Sequence, residues 1–184
     1  MIEIERKFRL KPEQKGNIEE TLRADYGPLE TIHQVDQVFL HGIDSFADFT
    51  RGDPVARLRT TNDETTLAYK RSINKAGDAV EHELIVGSAE TMAEILKEMD
   101  YRPVTTVTKD RIVAKAGELA IMLDSVVGAG DFLEIEILAA DESALPVAER
   151  QIMDKAAEFG LTETDIELRK YDQLVSMPSG QVSP

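Results

Sequence analysis

Met1-Ile2-Glu3-Ile4-Glu5-Arg6-Lys7-Phe8 opens the chain, and its alternation decides how the remainder is read. As a strand it sends Glu3, Glu5 and Lys7 to one face and Ile2, Ile4 and Phe8 to the other, because successive side chains point to opposite sides. Carboxylates two residues apart lie roughly 6.5 Å from each other along a strand, close enough to repel once water is removed. A positive partner is therefore expected between Glu3 and Glu5: a divalent metal, or a Lys or Arg of another strand. A solvated polar face is the third alternative, and the remaining strands decide among them.

The same pattern recurs down the chain. Pro12 starts a helix to about Asp25, and a strand follows over Thr31 to Leu40. Pro54 to Thr61 reads as a strand with Arg57 and Arg59 on one face, Thr65 to Arg71 as one carrying Lys70, and Ala79 to Val86 as one carrying Glu81 and Glu83. Ser88 caps a helix to about Asp100 whose Met92, Ile95, Leu96 and Met99 form an apolar stripe. Pro103 to Val113 presents Lys109 and Arg111 together, Leu119 to Asp124 is its hairpin partner, and Phe132 to Leu138 sets Glu134 and Glu136 against Leu133, Ile135 and Ile137. A helix over Glu142 to Phe159 buries Leu145, Ala148, Ile152, Ala156 and Phe159 and stops at Gly160. A last helix is expected over Thr164 to Met177, and residues 177–184 read as a flexible tail behind a single domain over 1–176.

Eight strands joined largely by short turns, with helices after the first, fifth and eighth, suit an α+β fold. The specific expectation is an eight-stranded antiparallel β-barrel, a tunnel, with helices packed outside. The helical stripes need apolar partners, which the strands offer on the faces opposite their charges, so the charged faces should point inward. That would gather seven carboxylates and six basic groups. Buried ions are a poor route to stability, so the arrangement points to binding rather than scaffolding. Carboxylates suit Mg²⁺ or Mn²⁺, and Arg and Lys grip phosphate oxygens. A triphosphate with its metal matches both, while ordinary cross-strand ion pairs in a wet barrel are the plain alternative.

Composition narrows the partners. The 184 residues are 42% hydrophobic and 30% charged, as in a soluble globular protein. With 35 acidic against 21 basic residues the net charge is −14, which argues against a nucleic-acid or anionic-membrane binder. The absence of Cys excludes disulfides and thiolate chemistry and suits the cytoplasm. His33, His41 and His82 lack metal-ligand spacing, and neither a signal peptide nor a membrane span is expected.

Glu3-Ile4-Glu5-Arg6-Lys7 resembles the Glu-x-Glu-x-Lys signature of the CYTH superfamily of triphosphate tunnel metalloenzymes. The likeness continues in order through Arg57-Leu58-Arg59, Lys70, Glu81-His82-Glu83, Lys109-Asp110-Arg111, Asp124 and Glu134-Ile135-Glu136, over about residues 1 to 175. The resemblance implies an enzyme with Glu3, Glu5, Asp124, Glu134 and Glu136 as ligands of Mg²⁺ or Mn²⁺. It implies Lys7, Arg57, Arg59, Lys70, Lys109 and Arg111 as catalytic and triphosphate-binding groups, with Glu81 and Glu83 as a further acidic pair at the substrate whose role varies between a second metal and the positioning of a water. The span from Asp100-Tyr101-Arg102-Pro103 to Glu136 is similar to the class IV adenylyl cyclase branch, although Arg169-Lys170-Tyr171 stands where that branch has Arg-Ser-Tyr. The implied reaction is ATP to cyclic AMP and pyrophosphate. An inorganic or thiamine triphosphatase is the alternative, a non-catalytic phosphate-binding module the third, and a homodimer is an expectation carried by the resemblance alone.

Overall fold

The computed structural model describes residues 2–50, 52–72, 79–139 and 141–176. The side chains of Glu3 and Glu81 and the tail over 177–184, each named above, lie outside the described residues. Eight strands are present: β1 (Ile2–Arg9), β2 (Thr31–His41), β3 (Val55–Thr61), β4 (Glu64–Ser72), β5 (Ala79–Val86), β6 (Tyr101–Ala116), β7 (Leu119–Val126) and β8 (Gly130–Ala139). Helices α1 (Pro12–Tyr26), α2 (Ala89–Glu98) and α3 (Leu145–Glu158) follow β1, β5 and β8, and a fourth, α4, spans Tyr171–Ser176. The hydrogen-bonded order is β1-β8-β7-β6-β2-β3-β4-β5, and the described ladders are antiparallel. The expected eight-stranded α+β architecture is met. Among the described residues, no helix is long and apolar enough to cross a membrane.

The chain forms two compact units, residues 1–32 with 110–169, and residues 33–109 with 170–184. In the first, β1 meets β8 in a register that places Ile4 opposite Ile137 and Phe8 opposite Leu133, while β7 places Ile121 opposite Ile135. These residues share a core with Ile18 and Leu22 of α1 and Ala148, Ile152 and Ala156 of α3. Sequence explains both helices. Pro12 fits the first turn, where its missing N–H costs nothing, and Gly27 at φ 84° ends α1 with its N–H on the Arg23 carbonyl at 3.1 Å. In α3 the Ala148-Ile152-Ala156 spacing supplies a flat face for the sheet, and Leu145 and Phe159 pack beside it half-buried.

In the second unit, Phe39, Ala56, Leu58, Leu96 and Tyr101 form the core, flanked by Leu67, Tyr69, Val86, Met92 and Ala93. Ser88 caps α2 by accepting the Thr91 N–H at 3.1 Å.

Three expectations need correction. Only part of the α2 stripe is buried: Leu96 is covered and Met92 half-covered, but Ile95 and Met99 are 45% and 59% exposed. The face that packs is Met92-Ala93-Leu96, so Ile95 falls to its side and Met99 beyond the helix end. The helix expected from Glu142 begins as a short 3-10 turn, Glu142–Ala144, before α3. The helix expected over Thr164 to Met177 is divided. Thr162 caps a 3-10 turn over Glu163–Asp165, Ile166 then bridges to Phe8, and the Glu167 N–H donates to the Lys7 carbonyl at 2.8 Å. That backbone partner on β1 replaces a helical one, so α4 starts only at Tyr171.

Candidate functional site

In each unit the strand faces opposite those that pack on α1, α3 or α2 carry charge. On the first, the ladders place Glu5 opposite Glu136, and Lys7 and Met122 opposite Glu134. Parity along β7 puts Asp124 on that same face. The expectation of charged faces opposite apolar ones therefore holds strand by strand here. Arg6, one residue out of phase, lies on the helical side and bonds to Glu149 of α3.

Arg111 organises the acidic side chains. Its Nε donates to Asp124 Oδ1 at 2.6 Å, and its Nη2 donates to both Asp124 and Glu134. Asp124 is fully buried, and Lys7 and Glu134 nearly so. An unpaired charge at such depth would cost several kcal/mol, which Arg111 offsets by a charge-assisted fork. Glu5 is exposed and Glu136 half-buried. Among the described residues no three acidic or His side chains are gathered as a ready metal cage. The donor set nonetheless fits a hard divalent ion. The carboxylates of Asp124 and Glu134 converge on one cationic nitrogen of Arg111, and carboxylate oxygens are the donors such an ion takes.

The second unit holds most of the remaining basic groups. On β3, Arg59 lies opposite Asp36 and Arg57 opposite Val38; on β4, Lys70 lies opposite Glu81 of β5, and Ala68 opposite Glu83. Arg59 donates from Nε and Nη2 to the two oxygens of Asp36, both at 2.7 Å. Burial raises the Asp36 carboxyl, but the Arg59 hydrogen bond and the charges of Arg59, Arg57 and Lys109 outweigh it and hold the group below its ordinary value. Lys109 is buried at 3% exposure, with its Nζ 5.0 Å from the centre of the Tyr171 ring of α4. Lys70 and Glu83 are exposed.

Within the units, then, the structure gathers Lys7, Arg111, Asp124 and Glu134, and separately Arg57, Arg59 and Lys109. Sequence reasoning missed Asp36. Its signal was a lone acid in the otherwise apolar or amide-bearing run Gln34-Val35-Asp36-Gln37-Val38-Phe39-Leu40. Two surface depressions, of about 200 Å³ between α1 and the end of α3 and about 330 Å³ beside Arg9, are lined by other residues and hold none of these groups.

Comparison with known proteins places these observations. Adenylate cyclase CyaB of Aeromonas hydrophila is 33% identical over 89 residues, 48% of this chain and 47% of that protein. The PH1012 protein of Pyrococcus horikoshii has a similar fold, with a TM-score of 0.73 at 26% identity over 95% of this chain and 99% of that one. So has HpAC1 from Hippeastrum, described as an adenylyl cyclase candidate with a dominant triphosphatase activity, with a TM-score of 0.65 at 18% identity over 100% of this chain and 98% of that one. The CYTH domain matches residues 1–171, from the Glu3-x-Glu5-x-Lys7 strand to Tyr171, and by that match the chain belongs to the CYTH family.

Proposed function

We propose that this chain is a metal-dependent adenylyl cyclase of the class IV type, acting on ATP inside a β-barrel tunnel. The observation that carries the reading is the segregation of charge. In both units acids and bases lie on strand faces opposite the apolar faces that pack on α1, α3 or α2. Its support as a cyclase is the likeness to the Aeromonas enzyme.

In this reading Lys7, Arg57, Arg59, Lys70, Lys109 and Arg111 hold the triphosphate by charge-assisted bonds and neutralise the charge that spreads over its non-bridging oxygens. Glu3, Glu5, Asp124, Glu134 and Glu136 hold Mg²⁺ or Mn²⁺, and Glu81 and Glu83 border the substrate. The metal supplies Lewis-acid chemistry, lowering the pKa of the ribose hydroxyl and stabilising the departing phosphates. The ribose 3′-oxygen forms a bond to the α-phosphorus, the bond from that phosphorus to the bridging oxygen breaks, and pyrophosphate leaves while the hydroxyl proton passes to solvent. Basic groups that fix the triphosphate before reaction reduce the orientational part of the barrier.

Hydrolysis of the terminal phosphate is the second reading, favoured by what is described of HpAC1. Incubation with Mg²⁺ or Mn²⁺ and ATP, then with tripolyphosphate, separates them. Cyclic AMP with equimolar pyrophosphate is the expected result. Orthophosphate alone would transfer the assignment to a triphosphatase, and no product with intact binding would leave a phosphate-binding module.

A further inference from the structure

We propose that Asp36 is a positioning residue: it sets the plane and direction of the Arg59 guanidinium and spaces the basic groups beside it, so that a triphosphate meets an arranged cluster. The inference rests on the functional reading above and deepens it. Asp36 stands directly across the β2–β3 ladder from Arg59, is 7% exposed, and accepts two parallel bonds of 2.7 Å from Nε and Nη2. Such a fork fixes a guanidinium in plane and in rotation, which a single bond does not. Gln34, two residues earlier on the same face, donates to Thr61 Oγ1 at 3.2 Å, so the adjoining ladder position is also occupied by a polar pair.

A stabilising role alone does not account for the pair, because a buried salt bridge is often no better than an apolar replacement. The charges explain it. The charges of Arg57, Arg59 and Lys109 all reach Asp36, and cations gathered about one carboxylate repel one another. One carboxylate among them cuts the local charge from three to two and holds one cation in a fixed orientation before substrate arrives. An arginine carries about 2 kcal/mol of rotamer entropy, and a displacement of about 1 Å in a positioned group can cost on the order of 10²-fold in rate.

The test uses the full chain with Asp36→Glu, Asp36→Asn, Arg59→Ala and the double variant Asp36→Asn/Arg59→Ala. Melting temperature, calorimetric Kd for tripolyphosphate, and kcat and KM for the triphosphate that the wild type turns over are measured on each. Asp36→Glu keeps the charge but displaces the fork by a methylene, so it should melt as the wild type does and bind tripolyphosphate within about threefold, with kcat lower by about 10- to 100-fold. Asp36→Asn should lower kcat without weakening tripolyphosphate binding, since it removes a negative charge. In the Arg59→Ala background the same change should alter kcat by less than about twofold, because its effect runs through that arginine. Wild-type kcat in Asp36→Glu, an equal loss in the Arg59→Ala background, or parallel losses of melting temperature, Kd and kcat would each overturn the proposal. A wild type that neither binds nor converts any triphosphate refutes the functional reading itself and removes this one with it.

Discussion

Glu167→Gln tests the contact that fastens the C-terminal segment to β1. Its carboxylate accepts from Arg169 Nη2 at 2.7 Å, Arg169 Nε at 2.9 Å, the Arg169 N–H at 3.1 Å and Arg9 Nη2 at 3.1 Å. The Arg169 side-chain bond first, with the backbone N–H and Arg9 adding to it against burial, lowers the carboxyl from 4.5 to about 2. At about 1.36 kcal/mol per pH unit the full shift corresponds to about 3 kcal/mol. Arg9 and Arg169 are 42% and 45% exposed, so solvent screens both bonds. Screening of this kind reduces the expected contribution to about 1 to 2 kcal/mol. Because the folded-state value is depressed, the contribution is fully present above the unfolded value of 4.5 and is lost as pH falls toward about 2. Denaturant unfolding of wild type and Glu167→Gln across the acid range should show a gap of about 1 to 2 kcal/mol at neutral pH, closing as pH approaches about 2. A gap absent at neutral pH, or one that does not narrow on acidification, would refute the reasoning.

Three further outcomes are expected. Glu5→Ala should abolish turnover while leaving the melting temperature unchanged, since Glu5 is exposed and in the proposed reading holds the metal. Arg57→Ala should raise the tripolyphosphate Kd by about 10-fold or more, a charge-assisted bond being worth about 1.5 to 3 kcal/mol, as isothermal calorimetry would read. Arg111→Gln removes the charged fork on buried Asp124 and Glu134, so it should lower stability by about 3 to 5 kcal/mol in chelator. Added Mn²⁺ should restore more melting temperature to that variant than it adds to the wild type; an equal rise in both would count against a cation position between the two acids.

Strand parity was the legible part of the fold. A period of two is set by backbone stereochemistry, so Glu5, Lys7, Glu134 and Glu136 could be assigned to one face and Ile4, Phe8, Leu133 and Ile135 to the other before any pairing was known, and the register agrees. Helix ends were legible where Pro12 and Ser88 supply the local start chemistry and Gly160 the stop. Partner choice was not. Nothing local to Ile166 or Glu167 shows that their backbone bonds with Lys7 and Phe8, more than 150 residues earlier, and the helical reading of that stretch failed for this reason. The extent of sheet beneath α2 is likewise a tertiary quantity, which is why Ile95 and Met99 read as buried and are not. In the candidate site, the charged residue types were visible, but Asp36 as the counter-charge of Arg59 follows only from the β2–β3 register.

The terminal position of β1 in the hydrogen-bonded order gives the Ile166 bridge a protective consequence. A strand at the border of a sheet offers unpaired amides and carbonyls as a template on which another polypeptide can add itself. Ile166 and Glu167 cover that border at Phe8 and Lys7, so a chain shortened before residue 166 would expose the backbone groups of those two residues to accretion of further copies. Loss of this small clasp should therefore show first as insolubility, ahead of any change in chemistry.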